Sequence, residues 1–564
     1  MKLRSSYLMS ILVLGSLLVG VIGCGTPAPP PATEVRGEPT AAQPSPPAET
    51  PTPAPTPTEK PVIVIALGDD IDRIHPQEAR SKSGYETVAN LYEGPLYMKL
   101  EPGEGAFEGV LVGQPEYLPG MAESVEVDQE NLIVRLKIKE GLKFANGNPI
   151  TAHSFKMLWD IGWLMPTSYG KSFFPYVGIE DNDDVVAVDD YTLEFHLKRL
   201  TPATLALLAF TGQGAVDERS VEENATADDP FATEWLRRNA NSSGPYMITE
   251  WDPGNQYVLE PNPNYWMGPD GYENSGVILK VVPEAENREM LLRAGDIDLA
   301  IYLPYGHVDD LDADPCCKVY KLPARRLYYF GMNADLPLAE NKALRQAIAY
   351  AIPYDTIIDE VFYGYAQRAT SPVPVGMPTH TDDFGYTTDL DMARQKLEEA
   401  GYANGVDVEL AVRTSIPWDV EAATWIQSSL AEVGINVTIN RMAAAEFYQS
   451  LTKRELPFFI YDWCSYINDP SYHLHFNLRT GSWANFVQYS NERVDELIDT
   501  AAWSLDPDVK EAGMHEAQQL IMDDAQYVPL YQPYRIIGVS EELYGMAVFD
   551  EELLHFRHMG KTSQ

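Results

Sequence analysis

Apolar positions change their spacing three times along the chain, and each spacing predicts a different kind of element. Tyr7 to Ile22 forms an apolar run. From Val62 onward the pattern is short and strand-like. Val62 to Leu67 reads as a buried strand, followed by a loop carrying Asp69, Asp70 and Asp72. Residues 84–94 predict a helix with Val88, Leu91 and Tyr92 on one face. Residues 99–235 read as an insertion of strands, with Leu132 to Ile138 and Tyr191 to Leu197 half-buried. Gly244-Pro245-Tyr246 marks a turn before a strand at Tyr257 to Glu260. From Asn341 the period becomes helical. Asn341 caps a helix with Leu344, Ala347, Ile348 and Ala351 inward, ended by Pro353, and Asp389 caps a second, closed by Gly401.

The clearest unit follows. Val406, Val408, Leu410 and Val412 alternate with Asp407, Glu409, Ala411 and Arg413. A helix then buries Ala422, Ala423, Ile426, Leu430 and Val433, Gly434 ends it, and Ile435 to Ile439 is a second strand. Strand–helix–strand implies a parallel pair in an open α/β sheet. Ala443 to Lys453 predicts another helix, and Phe458 to Tyr461 a third strand. Ligands of such sheets sit beyond the carboxyl ends of the strands. That geometry nominates two loops, Arg413 to Asp419 with Trp418, and Asp462 to Asp469 with Trp463, Tyr466 and Asn468.

The N-terminus changes the picture. Lys2 and Arg4 precede the 16-residue apolar run, which is short of the roughly 20 residues a membrane helix needs. It ends in Val21-Ile22-Gly23-Cys24, which resembles a bacterial lipobox, and the resemblance implies that Cys24 is lipidated and becomes the mature N-terminus. Residues 25–60 contain 12 prolines and no aromatic residue, a composition that favours extended polyproline II and buries no core. Residues 1–24 are thus expected to be a signal, and 25–61 a tether.

The composition sets limits. With 564 residues the chain is long enough for three or four domains or one large split architecture. It carries 83 acidic and 41 basic residues, a net charge of −42, and shows no basic stripe. Phosphate backbones and anionic bilayers repel such a surface, so nucleic acid is excluded as a partner and membrane attachment falls to lipid. Besides Cys24, the three scattered thiols of Cys316, Cys317 and Cys464 form no metal site, and neighbouring Cys316 and Cys317 make a poor pair, so any disulfide is expected to use Cys464. Gly170-Lys171-Ser172 and Gly560-Lys561-Thr562 lack the first glycine of a phosphate loop. His515-Glu516 meets Gln519 where a zinc helix needs histidine, and Asp181, Asp183 and Asp184 lack the rest of a calcium loop. No catalytic constellation emerges, and no cofactor or metal is expected.

Six segments in series carry a resemblance: "NLYEGPLY" at 90–97, "LPGMAESVEVDQENLIVRLKIKEGLKFANGNPITAHSF" at 118–155, "SSGPYMITEWDPGNQYVLEPNPNYW" at 242–266, "RAGDIDLA" at 293–300, "GMNADLPLAENKALRQAIAYAI" at 331–352 and "ARQKLEEAGY" at 393–402. From about residue 62 to 545 the chain resembles the extracytoplasmic solute-binding proteins of peptide/nickel-type ABC importers. The resemblance implies a two-lobed α/β periplasmic-binding-protein clamshell, type II and cluster C-like, with an inserted subdomain. One lobe would combine 62–98, 240–328 and 529–560, with 99–239 inserted in it, and the other would be 329–528. Its implied job is capture of a peptide or related solute by hinge closure and delivery to permease and ATPase subunits, as a monomer.

"WCSYINDP" at 463–470 resembles the oligopeptide-binding segment Trp-Cys-Ala-Asp-Tyr-Asn-Glu-Pro, whose aspartate pairs with the peptide α-ammonium. Tyr466 stands at that position, a neutral phenol where a charge-assisted bond would form. Asp469 matches a different position of the motif. Arg413 falls near where dipeptide binders place an arginine for the peptide carboxylate. With Trp418, Trp463, Asn485 and Phe486 these complete the candidate ligand residues. Trp418, Trp463, Tyr466 and Phe486 equally suit stacking on sugar rings, so an oligosaccharide ligand stays open. A peptide-sensing receptor that imports nothing and an anchored hydrolase are the other readings.

Overall fold

A computed structural model describes residues 60–562, except 80, 166–167, 169, 202, 211–213, 505 and 550–551. The signal, Cys24 and nearly all of the tether lie outside the described residues. Two large sheets organise the rest. The first has seven strands in the order Cys317–Leu322, Arg535–Ser540, Leu299–Ile301, Val62–Leu67, Gly276–Val281, Gln256–Pro261 and Tyr246–Asp252. Val62–Leu67 runs parallel to both of its neighbours. Arg535–Ser540 returns from the far end of the chain to pair antiparallel with Leu299–Ile301.

The second sheet has six strands, ordered Ala366–Arg368, Tyr527–Pro533, Arg326–Met332, Phe458–Cys464, Val406–Arg413 and Ile435–Met442. The expected strand–helix–strand unit is present. Val406–Arg413 pairs parallel with Ile435–Met442, and helix Pro417–Glu432 makes the crossover. Phe458–Cys464 is parallel to Val406–Arg413 on its other side. Gly434, at φ +93, turns the chain from the helix into the strand, a conformation that glycine adopts without a Cβ clash. The caps are also as read: the Asn341 side chain accepts from Leu344 N at 3.2 Å, and that of Asp389 from Met392 N at 2.9 Å.

Alternation along Val406–Arg413 holds only for its first half. Val408, Leu410 and Val412 enter one core with the helices, while Ala411 packs into a second core on the opposite face. That second core also contains Leu136, Trp159, Phe174 and Phe195, from the region read as an insertion. Ala411 and Arg413 are buried because this end of the sheet is covered on both sides.

The region read as an insertion holds an antiparallel four-stranded sheet that includes Ile133–Ile138 and Thr192–His196. It also holds a helix, Ala152–Leu164, that strand patterning passed over. Thr151 and Ser154 form its capping box, and Trp159 is its main core residue.

The cysteine expectation is corrected. Cys316 and Cys317 form a disulfide with each other, and Cys464 is free. Cys317 begins the outer strand of the seven-stranded sheet, whereas Cys464 ends a strand of the six-stranded one. Cys317 and Cys464 are held in the ladders of different sheets, and among the described residues the partner that Cys317 bonds is the adjacent Cys316. Among the described residues, no helix is long and apolar enough to cross a membrane.

Candidate ligand-binding site

Parallel strands of both sheets send their carboxyl ends to a common cleft. From the seven-stranded sheet, Val62–Leu67 leads through Asp69 to helix Lys82–Leu91, and Leu299–Ile301 leads into Tyr302 and Tyr305. From the six-stranded sheet come Arg413, then Cys464 and Tyr466. The two sides meet through aromatic rings. Tyr466 lies 5.5 Å from Tyr85 between ring centroids, and Trp418 lies edge-on to Tyr305 at 5.9 Å. Tyr466 also packs 5.8 Å from Phe210 of the insertion.

Arg413 is committed to the chain itself. Its Nε donates to Asp419 Oδ2 at 2.8 Å, and a terminal nitrogen pairs with Asp462 Oδ1 at 2.6 Å. Its guanidinium also sits 5.1 Å from the Tyr461 ring centre. Burial opposes its charge, but Asp462 and Asp419 outweigh burial and hold its pKa well above the ordinary value. Asp462 is shared, because its other oxygen pairs with Arg326. Burial raises the Asp462 carboxyl, yet Arg413 and Arg326 together bring it below the usual range. Asp419, at the end of the chain of charges, is pushed up to about 7 by burial, against the pull of Arg413. Its Oδ1 is buried without a partner among the described residues.

Four more candidates are held by their own surroundings. Asp469 accepts from Ser471 N at 2.9 Å and Tyr176 Oη at 3.4 Å, and pairs with Lys510 at 3.2 Å. It ties the start of helix Ser471–Leu478 to the insertion. Asn485 donates to the Tyr489 carbonyl at 2.7 Å and accepts from Tyr489 N at 2.9 Å, closing a turn. Phe486 is buried under the Arg454 guanidinium at 4.8 Å and edge-on to Tyr461. Trp463 is half-buried, 5.6 Å from Trp483 and 6.1 Å from Phe476. The cleft itself therefore contains Tyr466 and Trp418, with Arg413 just beneath its floor.

Sequence reading missed Lys82, Tyr302 and Arg326. Lys82 is the first residue of its helix, a position where the helix dipole disfavours a cation, and no acidic residue occupies that first turn. That local mismatch is the one signal the sequence carries. Tyr302 has φ +54, left-handed backbone for a bulky side chain. Buried Arg288 holds it there by donating to the carbonyls of Ile301, Tyr302, Val282 and Pro283 at 2.7 to 2.9 Å. Arg326 pairs with Asp462 while keeping 30% of its side chain exposed.

A family model described as "Bacterial extracellular solute-binding proteins, family 5 Middle" matches residues 116–485. The chain belongs to this family. The probable D,D-dipeptide-binding periplasmic protein DdpA of Escherichia coli strain K12 is 27% identical over 512 residues, 89% of this chain and 95% of that protein. Glutathione-binding protein GsiB of the same strain is 23% identical over 498 residues, 87% of this chain and 92% of its own. The ABC transporter-associated periplasmic binding protein DppA from Helicobacter pylori, solved in complex with the peptide STSA, matches with a TM-score of 0.76. That match covers 89% of this chain and 98% of the other at 22% identity. The fold is the two-lobed type II periplasmic-binding-protein fold.

Proposed function

We propose that this solute-binding protein is the extracytoplasmic receptor of an ABC importer and captures a peptide or related small solute in the cleft. The observation that carries the reading is the convergence of strand ends from both sheets on one cleft, bridged by Tyr85–Tyr466 and Tyr305–Trp418. The names of its relatives, which bind dipeptides, glutathione and a tetrapeptide, supply the ligand class. The lobes are 62–98 with 240–328 and 529–560, and 329–528, with 99–239 inserted in the first. Closure about the connecting strands is driven by ligand contacts that exist only when both sides are engaged. Lipid on Cys24 anchors the chain on the outer face of the membrane, and the proline-rich tether lets the folded part reach permease and ATPase subunits. The protein binds its solute without transforming it.

Mass spectrometry of ligand co-purified from the native host, followed by thermal melts with a peptide panel, tests this. A peptide at 100 times its Kd should stabilise by about 2.7 kcal/mol. A ligand set without peptides, or no stabilisation by any, refutes the peptide class. Cys24→Ser should release the protein from the membrane fraction if the lipid anchors it.

A further inference from the structure

We infer that the Cys316–Cys317 disulfide is a redox-responsive site beside the hinge between the two large sheets: the oxidised pair holds a latch together, and reduction by a dithiol loosens it. Closure about the connecting strands belongs to the proposed receptor function, so as regulation of that closure the inference rests on that reading.

Two short segments connect the sheets. Residues 323–325 lead from Cys317–Leu322 of the first sheet to Arg326–Met332 of the second, and the single residue Tyr534 joins Tyr527–Pro533 to Arg535–Ser540. Tyr534 is gripped from both sides. Its N–H donates to the Tyr365 carbonyl at 2.9 Å, and its carbonyl accepts from Tyr305 Oη at 3.0 Å. Tyr365, next to strand Ala366–Arg368 of the second sheet, donates its hydroxyl to Asp309 of helix Val308–Asp312 on the first-sheet side. Lys321 lies 5.5 Å from the centre of the Tyr365 ring and pairs with Asp312 at 2.7 Å. Asp309, Lys321 and Tyr365 thus form a latch beside the hinge.

The disulfide closes the turn that carries this latch. Asp314 accepts from the Cys316 N–H at 3.0 Å through its side chain and from the Cys317 N–H at 3.2 Å through its carbonyl. Arg293 fixes the same carboxylate. Cys317 is buried with Val308, Leu311 and Ile536 in the core against which Tyr305, Tyr365 and Tyr534 pack. Neighbouring residues of a strand point to opposite faces of a sheet. Joined sulfurs hold these two side chains together, so the strand begins at Cys317 and the chain turns at Cys316. As two thiols, the pair lets Cys316 extend the strand along Glu541, whose N–H already donates to the Cys316 carbonyl at 3.3 Å. That straightening pulls on the Asp314 turn and shifts the helix that presents Asp309.

A disulfide between distant residues stabilises a fold by shortening the loops of the unfolded chain. This one encloses a single peptide bond and has no such loop to close, so its effect is local. Cys316 is half-buried between exposed Pro315 and buried Cys317, which leaves its sulfur within reach of solvent. A thiolate of the dithiol attacks Cys316 Sγ, and Cys317 leaves as a thiolate and takes up a proton. The second thiol of the reductant then displaces Cys316, and the reductant departs as a disulfide. Two electrons and two protons pass from the dithiol to the pair.

The test uses the full chain in detergent, with dithiothreitol as the reductant and no solute. Alkylation and peptide mapping should find Cys316 and Cys317 blocked before treatment and both modified after it. Hydrogen exchange should then quicken at the amides of 313–321 and at Tyr534 by about five- to tenfold, the change in open population set by one hydrogen bond. Exchange in 406–412 and 435–441 should stay as it was, and the Tm should barely move. Cys316→Ala with Cys317→Ala should exchange like the reduced protein with or without dithiothreitol. Tyr365→Phe, which leaves the sulfurs untouched, should speed exchange at Tyr534 in the oxidised protein. Thiols already free before treatment, a pair that dithiothreitol leaves intact, or equal exchange in the two states overturns the inference. So does a large fall in Tm with exchange quickened throughout, the mark of a structural staple. Each of these outcomes leaves the receptor reading standing, which fails on the solute panel alone.

Discussion

Arg413 and Lys82 show how one charge type has opposite energetics in the same cleft. Arg413 sits between two carboxylates, so removing it strands them. Arg413→Met is expected to destabilise by about 3–5 kcal/mol, the cost of breaking a buried pair, measured by urea unfolding. Lys82 is half-buried and, among the described residues, its ammonium forms no ion pair with a carboxylate, so Lys82→Met should raise the Tm of the unliganded protein, because a partly desolvated ammonium is replaced by an apolar chain of similar length. A fall of several degrees would show that Lys82 is structural. Tyr466→Asp tests the motif alignment. It should raise the preference for peptides with free over acetylated N-termini, and an unchanged preference in titrations would refute the alignment. Residue types were legible in the sequence at Arg413 and Asp469, but their partners were not. Asp462 and Asp419 lie close in sequence to strand ends, yet only the fold brings both onto one guanidinium.

At the scale of elements, caps and parallel pairing were readable because they depend on neighbours a few residues apart. Asn341, Asp389 and Gly434 act where their local chemistry placed them. Helix Ala152–Leu164 was hidden, although Phe155, Leu158 and Trp159 stand at helical spacing, because its Thr151 cap lacks the acidic N3 residue of a familiar box. The Arg288 clamp has no sequence signature at all, since its partners are backbone carbonyls. Arg288→Met should orphan four of them and lower stability by about 3 kcal/mol or more, seen as a reduced urea midpoint. It should also weaken solute binding by freeing Tyr302 from its left-handed backbone. Full retention of affinity would separate the clamp from the site.

For the molecule as a whole, charge and burial set the response to pH. Burial lowers His75 to about 4, His475 to about 4 and His473 to about 3, against an ordinary value near 6.5. Each is neutral in the folded protein while the unfolded chain takes up a proton below about pH 6.5. Their contribution to stability is therefore present above that value and lost as pH falls towards 4. Thermal melts from pH 7 to 4 should show a falling Tm, reduced in His473→Phe, and a Tm that rises on acidification would contradict this. The family and its two lobes were legible from motifs in series, because those segments turn and cap the scaffold wherever it recurs. Ligand detail was not, because it arises where two sheets distant in sequence meet.

The arrangement of sulfur has a practical consequence. Cys316 and Cys317 are tied to each other, which leaves Cys464 as the free thiol among the described residues, on the strand end beside Arg326 and Tyr466. With the Cys24 sulfur lipidated, a thiol-reactive dye applied to the oxidised protein would be directed to Cys464 at the mouth of the cleft. Its emission would report solute arrival directly, making the native chain an optical sensor for whatever it carries.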